Sequence, residues 1–215
     1  MELVAILNSA YGIDAHMKSR IAHSYSCLMA VLPDDAVDKL RQFGLSIPDD
    51  CIYQDDSGDK GRETEFHTTI KYGIHTKDPE EVKEAIVPLL KPLGARLGKV
   101  TVFNGDEYVV LKVSVQSEDL TRMNQAVRQN LECTDTYPDY KPHVTIAYLK
   151  KDPKNPLYFQ DFCTDEFDGM EVVSGKLKFT TPDKKKYSMS LSVIANKQAV
   201  AKELVAIAKN IMEGR

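Results

Sequence analysis

The sequence predicts an α+β fold built around an internal duplication, and three observations carry that reading. A four-residue pattern, His-x-Thr-Ile, occurs twice, as His67-Thr68-Thr69-Ile70 and as His143-Val144-Thr145-Ile146, with the histidines 76 residues apart. Strand-like apolar runs alternate with amphipathic helical ones, with capping and turn residues between them. The length of 215 residues, with 42% hydrophobic content, suffices for one sizeable core or two small lobes and demands no independent domains.

The tetrads read as strands with two unlike faces. Successive side chains in a strand alternate sides, so His67 and Thr69 share one face while Thr68 and Ile70 share the other, and His143 and Thr145 separate from Val144 and Ile146 in the same way. Each tetrad thus offers an imidazole and a hydroxyl together, backed by a side that can be buried. Placed next to each other, two such strands bring two histidines and two threonine hydroxyls to one site. A lone histidine on a strand is more often a core or surface residue than a catalyst. Recurrence of the pattern at two of the five histidines argues for a pair.

The chemistry that such a pair supports is acid–base work on a phosphodiester. Imidazole titrates near ~6.5, so at neutral pH one ring can be neutral and its neighbour charged, which lets one take a proton from a nucleophile and the other give one to a leaving oxygen. Thr69 and Thr145 would donate hydrogen bonds to the non-bridging oxygens as charge builds on them. Which histidine is base and which acid is left open by the sequence. Lys71 has the parity of His67 and Thr69, and Lys141 that of His143, so regular strands would let either ammonium reach a phosphate. Tyr25, Tyr72, Tyr140 and Tyr148 could stack on a base; a core or surface role is the alternative for each. His16, His23 and His75 have no threonine two residues on and stay outside the site.

The repeated His-x-Thr-hydrophobic signature resembles the 2H phosphoesterases. Two further segments, Phe103-Asn104-Gly105-Asp106-Glu107-Tyr108-Val109-Val110-Leu111-Lys112-Val113 and Tyr137-Pro138-Asp139-Tyr140-Lys141-Pro142-His143, are similar to segments of phage-encoded members related to anti-CBASS enzymes, which cleave cyclic-oligonucleotide immune signals. The resemblance spans roughly residues 23 to 195. It implies a two-lobed, pseudo-symmetric α+β fold in which antiparallel sheets form a central cleft with helices outside. It also implies a metal-independent phosphodiesterase with His67, Thr69, His143 and Thr145 as its catalytic residues and no cofactor. Three functions follow: cleavage of cyclic oligonucleotide signals, processing of RNA ends bearing 2′,3′-cyclic phosphate, and nucleotide binding without turnover.

Along the chain, residues 1–21 show no strong period and read as an N-terminal arm, residues 22–195 as the phosphoesterase domain, and residues 196–215 as a C-terminal helix packing on it. Ala22 to Leu32 reads as a strand, and the helix after it has Asp34 as its expected N-cap and ends near Gly44. Asp49 to Arg62, rich in Asp, Gly and Ser, reads as a mobile loop able to act as a lid. Its acids lack the spacing and closing Glu of a calcium loop, so no metal is expected. Asp78-Pro79-Glu80-Glu81 starts a helix with a cap, a first-turn proline and acids that suit the dipole. Strands follow at Val100 to Phe103 and Tyr108 to Val115, joined around Asn104-Gly105. Ser117 caps a helix whose apolar stripe is Leu120, Met123, Val127 and Leu131. After the second tetrad come strands from Glu171 to Phe179 and from Tyr187 to Ile194. The Lys184-Lys185-Lys186 run in the turn between them reads as solvated. The last helix has Val200, Leu204, Ile207 and Ile211 on one stripe.

Charge and cysteine usage narrow the partners. A formal net charge of −4 argues against strong non-specific binding to long nucleic acid, which needs a basic face, and favours a small cyclic or short nucleotide. Cys27, Cys51, Cys133 and Cys163 have no Cys-x-x-Cys spacing and read as reduced thiols. The run Leu3-Val4-Ala5-Ile6-Leu7 is too short to span a membrane and has no basic leader, so a cytoplasmic location is expected.

Overall fold

The computed structural model describes residues 25–55, 60–135, 139–152 and 154–191, and six helical positions between residues 201 and 212. Eight antiparallel strands form one sheet: β1 (Ser26–Val31), β2 (His67–Ile74), β3 (Leu93–Asn104), β4 (Tyr108–Gln116), β5 (His143–Lys150), β6 (Glu171–Ser174), β7 (Lys176–Thr180) and β8 (Lys186–Ser190). Their order, β6-β3-β4-β5-β2-β1-β7-β8, puts the two tetrad strands side by side at the centre with three strands beyond each. The expected pair of sheets is therefore two four-stranded halves of one sheet. Among the described residues, the ladder between the halves is the single pair Thr68 with Val144.

Among the described residues, three α-helices cover the core face. They are α1 (Asp34–Ser46), α2 (Pro79–Ile86) and α3 (Glu118–Asn130). Asp78 caps α2 by accepting from the Glu80 amide at 2.9 Å, and Ser117 caps α3 by accepting from the Leu120 amide at 3.1 Å, as read from the sequence. Asp34 differs: it is the first helical residue, the N-cap position belongs to Pro33, and no side chain caps that end. The α3 stripe of Leu120, Met123 and Val127 is buried with Ile70, Ile74, Leu97, Val113, Val144 and Ile146 in one core cluster. Burying these aliphatic side chains, each worth roughly 1.5–3 kcal/mol, holds the strands' apolar faces down and leaves the polar alternates on the other side.

The sequence reading of one strand from Glu171 to Phe179 is corrected by Gly175. β6 pairs with β3 at one edge of the sheet, whereas β7 pairs with β1 in the other half, so one residue joins opposite halves. The sheet must curl for that link to close. Ser174 shows the result, its hydroxyl donating to the Val31 carbonyl at 2.6 Å.

The approach segments repeat the symmetry of the halves. Residues before β2 lie along β5: Glu63 donates its amide to the Ile146 carbonyl at 2.8 Å, and Gly61 accepts from the Tyr148 amide at 2.8 Å. Residues before β5 lie along β2: the Thr134 amide donates to the Gly73 carbonyl at 2.8 Å, and Ile74 bridges Cys133. Gly73 has a φ of +93°, and a Cβ there would stand 2.1 Å from the Thr134 carbonyl oxygen, so only glycine permits this crossing. The described part of the expected mobile loop is therefore anchored. Arg62 ties it further, donating to the carbonyls of Gly44 and Ile47 and pairing with Asp49 at 2.7 Å.

The expected arm of residues 1–21 lies outside the described residues, as do Val200 and Ile211 of the C-terminal stripe. Of the positions that are described there, Leu204 and Ile207 are helical and exposed. Among the described residues, no helix is long and apolar enough to cross a membrane.

Candidate active site

The pairing of Thr68 with Val144 fixes the geometry of the site. In an antiparallel register centred on that pair, His67 lies across from Thr145 and Thr69 across from His143. The face is the one opposite the core: His67, Thr69, His143 and Thr145 are all partly exposed, while Thr68, Ile70, Val144 and Ile146 are buried. The structure thus brings the four tetrad residues together as one crossed quartet.

Both imidazoles are held in the same way. His67 Nδ1 lies 2.6 Å from the Glu65 carbonyl oxygen, and His143 Nδ1 lies 2.9 Å from the Lys141 carbonyl oxygen. A carbonyl can only accept, so each Nδ1 carries the hydrogen and each Nε2 is left to face a substrate. The two rings are not in equal surroundings. Burial pushes the His143 pKa below its ordinary value against the pull of the Lys141 carbonyl, and the positive charges of Lys112 and His67 push it further down. Phe103 covers one side of His143, edge to face at 5.8 Å.

The parity argument for Lys71 fails at a bulge. Leu28 pairs with Lys71 and Met29 with Thr69, leaving Ile70 as an extra residue, so the strand changes face there. Lys71 is buried on the side of Ile70, and its ammonium donates to Asp135 at 2.6 Å and to the Thr134 carbonyl at 3.2 Å. Its covered ammonium is taken up by the exposed Asp135 and is not turned to a phosphate. Tyr72 takes the face that Lys71 was expected to hold. β5 repeats the irregularity, Leu111 pairing with Ala147 and Lys112 with Thr145, so Tyr148 returns to the site face after Ile146 and Ala147 are both buried.

The other expected contacts divide. Lys141 supplies its carbonyl to His143, while its ammonium is exposed and stands 3.7 Å from Asp139. Tyr140 donates its hydroxyl to the Thr69 carbonyl at 3.0 Å, so it positions a tetrad backbone; burial raises its pKa. Tyr25 stacks on His75 at 5.2 Å and meets Tyr72 edge to face at 6.0 Å. Tyr148 joins a row of rings with Tyr108 and Tyr53, and the Lys60 ammonium sits 4.8 Å from its centroid. That row adds Tyr53 and Tyr108 to the aromatic surface around Tyr148, the next residue of β5 after Thr145 on the site face.

Two groups on this face escaped sequence reasoning. Lys112 lies directly across from Thr145, half-buried, with its ammonium donating to Thr101 at 3.1 Å. Burial lowers its pKa. The alternation of Tyr108, Val110, Lys112 and Ser114 against Val109, Leu111, Val113 and Val115 marks its face, but only the register shows its neighbour. Cys27 is the second. Its burial pushes the thiol up to about 12, against the pull of the Thr69 hydroxyl, so it lines the site as a neutral group and not as a nucleophile. Among the described residues no cluster of three or more His, Cys, Asp or Glu side chains is placed to hold a metal.

Comparison with known proteins locates this arrangement. Residues 57–172, just over half of the chain and both tetrads, match the family described as anti-CBASS protein Acb1. No curated protein matches the chain. Solved structures similar to it include TT0787 of Thermus thermophilus, at 14% identity over 78% of this chain and 95% of that one, with a TM-score of 0.49. Usb1 of Kluyveromyces marxianus, solved with uridine monophosphate, is 11% identical over 79% of this chain and 99% of its own, with a TM-score of 0.47. Escherichia coli LigT, complexed with 3′-AMP, is 11% identical over 78% of this chain and 94% of its own, with a TM-score of 0.45.

Proposed function

The chain belongs to the anti-CBASS protein Acb1 family, and from that premise we propose that it is a phosphodiesterase that opens cyclic oligonucleotide signals by paired-histidine acid–base catalysis. The observation that carries the reading is the crossed quartet, in which each histidine faces the other tetrad's threonine and presents a free Nε2. A phosphorus seated between the two Nε2 atoms has a base on one side and an acid on the other, with two hydroxyls for its non-bridging oxygens.

The roles follow from the unequal surroundings. His143, kept neutral by burial and by Lys112, accepts the proton of the attacking 2′-OH at Nε2. The 2′-oxygen bonds to phosphorus, the bond to the 5′-oxygen breaks, and His67 gives its Nε2 proton to that leaving oxygen. The ring of the signal is opened and its new end is a 2′,3′-cyclic phosphate. His143 leaves the step protonated and His67 neutral, and exchange with solvent resets both. Thr69, Thr145 and the Lys112 ammonium across from Thr145 meet the charge that gathers on the non-bridging oxygens.

The test is a panel of cyclic dinucleotides, cyclic trinucleotides and 2′,3′-cyclic mononucleotides, with products separated by chromatography and then identified by mass. Linear products that separate from the cyclic substrate yet share its mass, one water lighter than the fully hydrolysed oligonucleotide, support the reading. Turnover of 2′,3′-cyclic mononucleotides alone would instead make this an RNA-end enzyme, and binding without turnover would make it a nucleotide-binding module.

A further inference from the structure

Beside His67 the sheet carries a second cationic surface that the quartet does not use. Lys178 of β7 is paired through Met29 of β1 with Thr69 of β2, so it lies in line with the quartet, two strands away. Neighbouring strands are spaced about 4.8 Å apart, so the β2 and β7 backbones stand roughly 10 Å from each other. The lysine stem crosses part of that gap. Its ammonium meets Glu65, the residue whose carbonyl holds His67, and Lys186 of β8 reaches the same carboxylate at 2.8 Å.

The two ammoniums hold the Glu65 carboxyl down to about 2, so it is ionised at any pH where histidines do acid–base work and both lysines have a carboxylate to meet. Each ammonium has three donors, and one bond to Glu65 leaves two. Lys186 is more than half exposed, and Lys178 is mostly covered, so a ligand meets one directly and the other at the floor. They line a groove of about 360 Å³ together with His67, Phe66, Val31, Val37, Tyr187 and Lys176, a volume in the range that holds a nucleotide-sized ligand. Three lysines against Asp34 and Glu65 leave the groove one positive charge in excess.

We propose that Lys178 and Lys186 form a second phosphate subsite, which receives the phosphate of a cyclic oligonucleotide that is not being cleaved. This rests on the phosphodiesterase reading above and gives it a reason for its substrate class. If His67 protonates the 5′-oxygen, the leaving nucleoside lies on the His67 flank, and the next phosphate of the ring is attached to that nucleoside's 3′-oxygen. It is thereby directed towards β7 and β8. A 2′,3′-cyclic mononucleotide has no such phosphate. The lysine run in the turn before β8 thus divides: Lys185 pairs with Asp183 at 3.0 Å, and Lys186 alone turns to the groove.

The test measures binding, separately from turnover. In a His143→Ala background, which preserves the substrate, the affinity of cyclic di-adenylate and of adenosine 2′,3′-cyclic phosphate is read by calorimetry. It is read again after Lys178→Met, Lys186→Met and both, changes that keep the apolar stem. The expected result is a cyclic dinucleotide preference of at least about tenfold, lost by up to about tenfold for each lysine removed, as for charge-assisted hydrogen bonds. Equal affinity for the two ligands before the lysines are changed, a preference that survives the double change, or an equal fall for both ligands would overturn the proposal. Absence of turnover by the unaltered protein, with the preference and its lysine dependence intact, would instead count against the phosphodiesterase reading and leave the subsite standing.

Discussion

The two halves of the sheet share their machinery and differ in what surrounds it. In each, a tetrad strand carries histidine and threonine on one face, bulges after the isoleucine, returns a tyrosine to that face, and pins the histidine's Nδ1 to the carbonyl two residues before it. The neighbours are unlike. Across from Thr69 stands Met29, and across from Thr145 stands Lys112. One half therefore lays an apolar side chain under its tetrad and the other a cation, so a duplicated backbone has been made chemically polar. The lesson is that pseudo-symmetry places the groups while the flanking strands set their surroundings, so that burial and Lys112 draw the His143 pKa down through what neighbours it in that half.

The largest expected effect tests what the halves share. His67→Ala or His143→Ala should each slow the chemical step by roughly 10²–10⁴-fold in single-turnover measurements, and the double change should cost much less than the product of the two. Full activity in either single variant would reduce the duplication to architecture. Thr69→Ala and Thr145→Ala should come next, each losing roughly 10–10³-fold in rate, by analogy with the loss of one oxyanion donor.

What divides the halves is tested by Lys112→Met, which gives the second half the side chain of the first. Its rate should fall by about tenfold, the scale of one lost charge-assisted contact to the phosphate. The acidic limb of the pH–rate profile should also move. A base whose pKa is held down titrates below the ordinary imidazole value of about 6.5, so removing the cation should shift that limb upward, towards neutral pH. A limb that stayed in place would mean that burial alone sets the difference. A smaller effect should follow Tyr140→Phe, which removes a hydrogen bond to the Thr69 carbonyl worth about 1 kcal/mol. It should lower the unfolding temperature slightly and leave histidine titration where it was.

Much of this site was legible in the residues because both tetrads are local patterns, and the strands and caps around them follow from periodicity and from Asp78 and Ser117. The bulges were not legible. Neither Ile70-Lys71 nor Ile146-Ala147 contains a glycine or proline to mark a break, and the extra residue is set by pairing with β1 and β4, whose registers no single strand encodes. That is why strict alternation assigned Lys71 to phosphate when its ammonium is bound to Asp135. Lys112 was missed for the complementary reason: it reads as a solvent-facing lysine on an apolar strand until Thr145 is placed beside it. The split at Gly175 was hidden because β6 and β7 are continuous in sequence and belong to opposite halves.

The division of labour between His67 and His143 can be read most directly with a substrate whose leaving 5′-oxygen is replaced by sulfur, which departs without a proton. In single-turnover assays of the two alanine variants on the oxygen and sulfur substrates, the account predicts that sulfur restores most of the rate to His67→Ala and little to His143→Ala. Restoration of His143→Ala alone would reverse the roles, and restoration of neither would contradict acid catalysis by a histidine at this site.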